Sequence, residues 1–299
     1  MRLGDLAPED LRARLRDGLI LPTGPFRNRI VSHVPDVAKG IALLYADFPI
    51  GAEGFCDFHV RVDRVSGLRR WWRPQITFRF DGGEPFKPLR ADHAFASMEW
   101  GLNWCISGHA HHYLMLHAAV VERNGRAVIL PGDPGAGKST LTAALVLSGF
   151  RLLSDELMLI DRDDGMLVPL ARPINLKNAS IDIIRNFSAD AVFGDTAFDT
   201  HKGTVAHLKP PAECVARMDE KARPGFIVFP RWKAGAEPRL TPHSKADAFM
   251  HAATHSFNYD LLGGLGFDMN AALVDRCDCY DFEYSRLPDA IRFFEELLA

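Results

Sequence analysis

Between two apolar runs, AVIL at 127–130 and LTAALVL at 141–147, the chain reads GDPGAGKS at 132–139. Glycine, four residues, glycine, lysine and serine is the pattern of a loop that wraps phosphate groups. Its flanks constrain the fold more than any other feature: a buried strand must run into the loop and a helix must leave it, giving a β-loop-α-β unit. Gly132, Gly135 and Gly137 let the backbone turn through conformations that a side chain forbids, so that N–H groups approach phosphate oxygens. The helix that starts near Lys138 aims its positive end at the same anion. Lys138 can neutralise the β- and γ-phosphates of a nucleoside triphosphate, and the Ser139 hydroxyl can ligate Mg²⁺. The expected nucleotide-binding set is Gly132, Asp133, Pro134, Gly135, Ala136, Gly137, Lys138, Ser139 and Thr140.

Past the helix, LLSDE at 152–156 is an apolar strand that delivers two carboxylates at its end, Asp155 and Glu156. Ligands of open α/β sheets bind beyond the carboxyl ends of the strands, so these acids should face the triphosphate. One can hold Mg²⁺ and the other can take a proton from an acceptor hydroxyl, which gives Ser139, Asp155 and Glu156 as metal candidates. His117 stands inside the apolar run LMLHAAVV. A histidine there is more often a satisfied core residue than a functional one.

The rest of the chain reads as mixed α/β without repeats. Residues 1–24 suggest an amphipathic helix; 37–47 a short helix; 55–65 and 75–81 strands; 91–107 a helix stopped by Gly108. The Asp81-Gly82-Gly83 turn suggests a tight reversal. Phe95, Trp100 and Trp104 read as core residues. The basic-aromatic stretch 64–73, with Trp71 and Trp72, reads as a two-sided strand with snorkelling arginines. Residues 113–121 and 127–130 read as buried strands, and 286–298 as a closing helix opened by Pro288-Asp289. A domain division follows: an N-terminal α/β module at 1–108, and at 109–299 a nucleotide-binding domain with a C-terminal helical extension.

With 35 basic against 38 acidic residues and a net charge of -3, no global basic field argues for a nucleic-acid partner. No uncharged apolar run approaches the ~20 residues that span a membrane, and the first residues lack a signal-peptide core, so no membrane partner is expected. Five scattered cysteines read as reduced thiols in a cytoplasmic protein; Cys277 and Cys279 have no neighbour in sequence that would complete a zinc set.

HAAVV from His117, then GDPGAGKST, then GFRLLSDE from Gly149 together resemble the bacterial HPr kinase/phosphorylase family. The resemblance covers 117–160 with specific motifs and continues more weakly to Phe229, past Arg223-Pro224-Gly225. It looks closest to the HPr-kinase-related proteins, a branch distinct from the enzyme acting on HPr, in whose wider group some members phosphorylate ribosomally made peptides. It implies an α/β P-loop kinase core of the HPr kinase / PEP carboxykinase type, using ATP and Mg²⁺. By the same carry-over Asp155 is the catalytic base, Glu156 assists magnesium where the family has Asp, and His117 lies beside the catalytic acid. Arg172 in LARPINLK and Arg231 in FPRW become candidate transition-state or acceptor-phosphate contacts, with Lys177 and Lys202 weaker ones. The family carries a glycine-rich segment after the acids; here that stretch reads RPINLKNASIDIIRNF, which argues against HPr as the acceptor and against retained phosphorylase activity. The fold family has oligomeric members, so a homo-oligomer is an expectation by analogy alone.

Three functions share this chemistry. The first transfers the γ-phosphoryl group of ATP to a Ser or Thr hydroxyl of a peptide or protein, with the N-terminal module choosing the acceptor. The second is a small-molecule kinase acting on a metabolite alcohol. The third is a nucleotide-dependent regulatory module without transfer, which needs loops that change with the γ-phosphate.

Overall fold

The run FRNRIVS alternates apolar and polar residues, and every second side chain of the strand it forms is buried. In the computed structural model, which describes residues 1–67, 72–132 and 135–299, the chain divides into two units. The first comprises Met1–Ile106, Pro173–Asp182 and Asp190–Ala216; the second comprises Ser107–Arg172, Ile183–Ala189 and Arg217–Ala299. Elements are numbered along the chain, among the described residues.

The first unit opens with α1 (Pro8–Asp17), which has proline in its first turn, Leu11 and Leu15 on its buried side, and a left-handed cap at Gly18. A five-stranded sheet follows in sequential order: β1 (Leu19–Thr23), β2 (Phe26–Ser32), β3 (Phe58–Arg64), β4 (Gln75–Phe80) and β5 (Leu89–Arg90). Only β2 and β3 are parallel, and α2 (Pro35–Leu44) supplies the crossover they require. The helix expected at 91–107 is a short 3₁₀ turn followed by α3 (Ala94–His109), with Gly108 inside it rather than ending it. Trp104 is 37 % exposed rather than core. Arg64 ends β3, and Trp72 is 81 % exposed, so the strand expected over 64–73 is absent among its described residues. Gly67, at a φ of 91°, turns the backbone out of the extended region there. Trp71 lies outside the described residues.

The second unit contains the strand–loop–helix. Here β6 (Tyr113–Leu116), β7 (Ala118–Arg123), β8 (Arg126–Pro131), α4 (Lys138–Leu147), β9 (Arg151–Ser154), β10 (Met158–Asp161) and β11 (Leu167–Val168) succeed one another. The chain then passes into the first unit, whose second sheet is antiparallel β12 (Ile174–Lys177), β14 (Gly203–Leu208) and β13 (Ala197–Thr200), with α6 (Ala212–Ala216) after it. Helix α5 (Ala179–Phe187) is divided between the units. The expected single boundary at 108 therefore misses 173–182 and 190–216, which group with the N-terminal residues; Lys39 pairs with Asp195 at 2.7 Å, Lys209 with Asp47 at 2.7 Å, and the His93 ring hydrogen-bonds the Phe198 carbonyl at 2.7 Å.

The second unit closes with β15 (Arg223–Trp232), β16 (Arg239–Pro242), α7 (Lys245–Thr254), α8 (Tyr259–Leu262), α9 (Gly264–Arg276), β17 (Asp278–Tyr284) and α10 (Leu287–Leu297). Its main sheet has six strands in the order β16-β17-β15-β8-β7-β9, with β8, β15 and β17 parallel. The C-terminal region is thus not a helical extension: β17 pairs with β15 from Phe226↔Asp278 to Trp232↔Tyr284. Helices α4 and α10 pack together on one face, where Phe282 meets Phe294 edge to face at 5.2 Å. On the other face, Ala118, Val120, Ile129 and Ile227 pack with Leu116 of β6 and Leu273 of α9. Burial on both faces explains why 127–130 reads as continuously apolar.

The run 113–121, expected as one strand, is two strands in two sheets. β6 pairs with β10 and β7 with β8, and the break falls at His117, whose N–H donates to the His255 carbonyl at 2.9 Å. Away from the loop, Arg151 donates from Nε to Glu122, and these side chains are 5 % and 2 % exposed. Glu122 also accepts the Gly125 N–H at 2.6 Å. Removing one charge from such a pair strands the other in low dielectric, so Glu122→Gln should cost on the order of 3 kcal/mol in denaturant unfolding. An unchanged midpoint would show that the pair contributes nothing net. All five cysteines are buried and outside any disulfide, and burial pushes the Cys277 thiol up to about 12. Among the described residues, no helix is long and apolar enough to cross a membrane.

Candidate nucleotide site

Strand β8 is buried from Ala127 to Pro131 and ends where the loop begins. Gly132, Gly135 and Gly137 all have positive φ, at 145°, 93° and 89°; Asp133 and Pro134 lie outside the described residues. Gly137 is the position where glycine matters most. Besides its left-handed φ, a Cβ there would stand 3.2 Å from the Tyr284 hydroxyl oxygen and 3.7 Å from Trp232 Cβ. The loop is therefore seated against the carboxyl ends of β15 and β17.

Lys138 opens α4 yet is 8 % exposed, and its Nζ donates to the Gly132 carbonyl, so the ammonium lies within the turn of the loop. Gly137, with no side chain to offer, occupies the cap position of α4, and its carbonyl accepts the Leu141 N–H at 3.0 Å. The first-turn N–H groups at Lys138, Ser139 and Thr140 thus begin at the loop itself. Ala136, Ser139 and Thr140 are half-buried.

Register places the acids and His117 at the same edge. Ala118 pairs with Pro131 and Val120 with Ser154, so His117, Gly132 and Asp155 all leave the main sheet at one end. The turn after β9 is locked by Ser154, whose hydroxyl donates to the Leu157 carbonyl at 2.8 Å and accepts the Leu157 N–H at 3.0 Å. Asp155 and Glu156 are half-buried in that turn. Arg172 is 6 % exposed, and its segment is tied to β9 where the Leu170 N–H meets the Leu153 carbonyl at 2.6 Å. Arg231 is exposed near the end of β15, on the flank of β8 opposite β7 and β9, so it does not join Asp155. Lys177 and Lys202 belong to the first unit; Lys202 Nζ lies 5.4 Å over the Trp100 ring.

Two groups at this edge escaped the sequence reading. His251 and His255, one turn apart on and just after α7, stack at 4.0 Å and line a small cleft with His117 and Pro131. Their spacing in HAATH was the available signal. Trp232 and Tyr284 carried none, because each reaches the loop only through parallel pairing of β15 with β17.

The residues fit a magnesium nucleotide: a loop whose glycine at 137 has a left-handed φ, an ammonium inside it, a helix that starts from that glycine, and Ser139 with two carboxylates at one edge. Among the described residues, no group of three or more His, Cys, Asp or Glu side chains could hold a metal ion. Mg²⁺ commonly takes one or two carboxylates and completes its shell with phosphates and water, so it does not need such a group.

No protein-family model matches the chain. Over 101 residues it is 32% identical to the HPr kinase/phosphorylase of Latilactobacillus sakei, a stretch that is 31% of this chain and 31% of that protein. It is 30% identical over 101 residues to that of Levilactobacillus brevis, again 31% of each. The chain spans about a third of the length of these curated relatives. The structure of the HPr(Ser) kinase/phosphatase from Coxiella burnetii aligns with 61% of this chain and 96% of its own, at 12% identity and a TM-score of 0.27, a likeness too weak to bear on the fold. Across about a third of its length, then, this chain is a relative of the HPr kinase/phosphorylases.

Proposed function

We propose that this chain is an ATP- and Mg²⁺-dependent kinase that transfers the γ-phosphoryl group to a Ser or Thr hydroxyl of a peptide or protein. The observation that carries the reading is the common end of the main sheet, from which β8 runs into the loop that holds Lys138 and β9 runs into Asp155. When bound, Mg·ATP supplies the phosphoryl group and part of the charge neutralisation. Lys138 turns from the Gly132 carbonyl to the phosphates and offsets charge that builds during transfer. The N–H groups that open α4 would hold the phosphate chain, and Ser139 and Glu156 would hold the cation. Asp155 would accept the proton of the acceptor hydroxyl as its oxygen attacks the γ-phosphorus, the bond to the β–γ bridging oxygen breaks and ADP departs. His117, at the start of the neighbouring strand, lines the acceptor side. Relatedness to the HPr kinase/phosphorylases over 101 residues supports the same chemistry.

The test is transfer from γ-labelled ATP with Mg²⁺ to a panel of peptides, HPr and small alcohols. We expect label on a peptide hydroxyl. Label on a small alcohol alone would make this a metabolite kinase. Binding of ATP with no transfer to any acceptor would leave a regulatory module.

A further inference from the structure

The loop is flanked asymmetrically. On one side β7 and β9 bring His117 and Asp155; on the other, β15 and β17 end in Trp232 and Tyr284. If the γ-phosphate is presented to Asp155, as in the function proposed above, the nucleoside end of the molecule extends toward β15 and β17. Trp232 stands there, its Cβ 3.7 Å from where a Gly137 Cβ would be. Its indole is 57 % exposed, although it adjoins a loop whose lysine is buried. The ring is also fixed in orientation: Nε1–H donates to the Ser285 carbonyl at 2.9 Å, which holds one edge and leaves a face open. A shallow groove lined by Glu237, Pro238, Ser285, Arg286 and Arg292 starts at the same Ser285 and offers polar groups to the edge of a ring system.

Exposure alone would not single out Trp232, since Trp72 is more exposed still. Among the described tryptophans, three features coincide at Trp232: closeness to Gly137 of the loop, a clamped ring and a position on the flank away from the acids. We propose that Trp232 is the platform on which the base of the bound nucleoside triphosphate stacks. Stacking gives affinity through the π-face of the base and little discrimination among bases. Tyr284 backs this wall. It is 1 % exposed, stacks on Phe282 at 5.4 Å, and its hydroxyl has no hydrogen-bond partner among the described residues.

The inference rests on the loop being a triphosphate site, and calorimetry with two probes separates the two. Mg·ATP and Mg·tripolyphosphate are titrated into the native chain, Trp232→Ala and Trp232→Phe. A stacked base makes Trp232→Ala lose about tenfold in ATP affinity, Trp232→Phe regain most of it, and tripolyphosphate bind all three alike. Equal ATP binding by Trp232→Ala and the native chain would overturn the platform. So would a matched loss of both probes, which would mean that the substitution had disturbed the loop. A native chain that binds neither probe would overturn the triphosphate site and the platform with it.

Discussion

Asp155→Asn is expected to lower phosphoryl transfer by about 10²–10⁴, the range for a lost general base, while Mg·ATP binds nearly as tightly as to the native chain. The substitution keeps the size and shape of the side chain and removes its charge and basicity. The turn that carries it should survive, because its geometry is set one residue earlier by the two hydrogen bonds of Ser154 with Leu157. Glu156 remains beside it in the same turn. A loss confined to transfer, measured in single turnover alongside calorimetric ATP binding, assigns proton acceptance to Asp155. Transfer at the native rate would remove Asp155 from the chemistry. A joint collapse of ATP affinity and transfer would make it a ligand of the metal nucleotide instead.

The loop was legible because its constraint is local. Three glycines, a lysine and a serine at fixed spacing between apolar runs dictate one turn, and β8, α4 and β9 form close to where the pattern puts them. What sequence could not show was non-local. LMLHAAVV is apolar apart from His117, and a lone histidine in such a run does not by itself mark a break; at the break the His255 carbonyl, far along the chain, takes the His117 N–H. Likewise DCYDFEY at 278–284 alternates like a half-exposed strand, but its place beside β15 is set by seven parallel register pairs that no local period encodes. That pairing brings Tyr284 and Trp232 under Gly137, so the wall of the site opposite the acids emerges only from the sheet order. The domain boundary missed 173–182 and 190–216 for the same reason: what ties that segment to the N-terminal residues is long-range side-chain pairing, Lys39 with Asp195 and Lys209 with Asp47, which no local pattern encodes.

Lys138→Met should abolish most of the stabilisation that Mg·ATP gives the native chain. The native ammonium is buried in the loop, bonded to the Gly132 carbonyl, and poised where phosphate oxygens would lie. Methionine preserves the length and apolar contacts of the stem and deletes the charge. Loss of one well-placed charged donor costs about 10²–10³ in transfer. Binding suffers too, and the linkage is quantitative. At a ligand concentration of 100 Kd the native state gains about 2.7 kcal/mol, and a hundredfold weaker Kd leaves about 0.4 kcal/mol of that. The ligand-induced rise in Tm therefore nearly vanishes. The unliganded Tm moves the other way or stays put, because the variant no longer pays to bury an ammonium. That divergence separates lost binding from lost folding, since a damaged fold lowers both. An undiminished ATP-induced shift in Lys138→Met would mean that the lysine does not meet the nucleotide, and the loop would lose its part in phosphate binding.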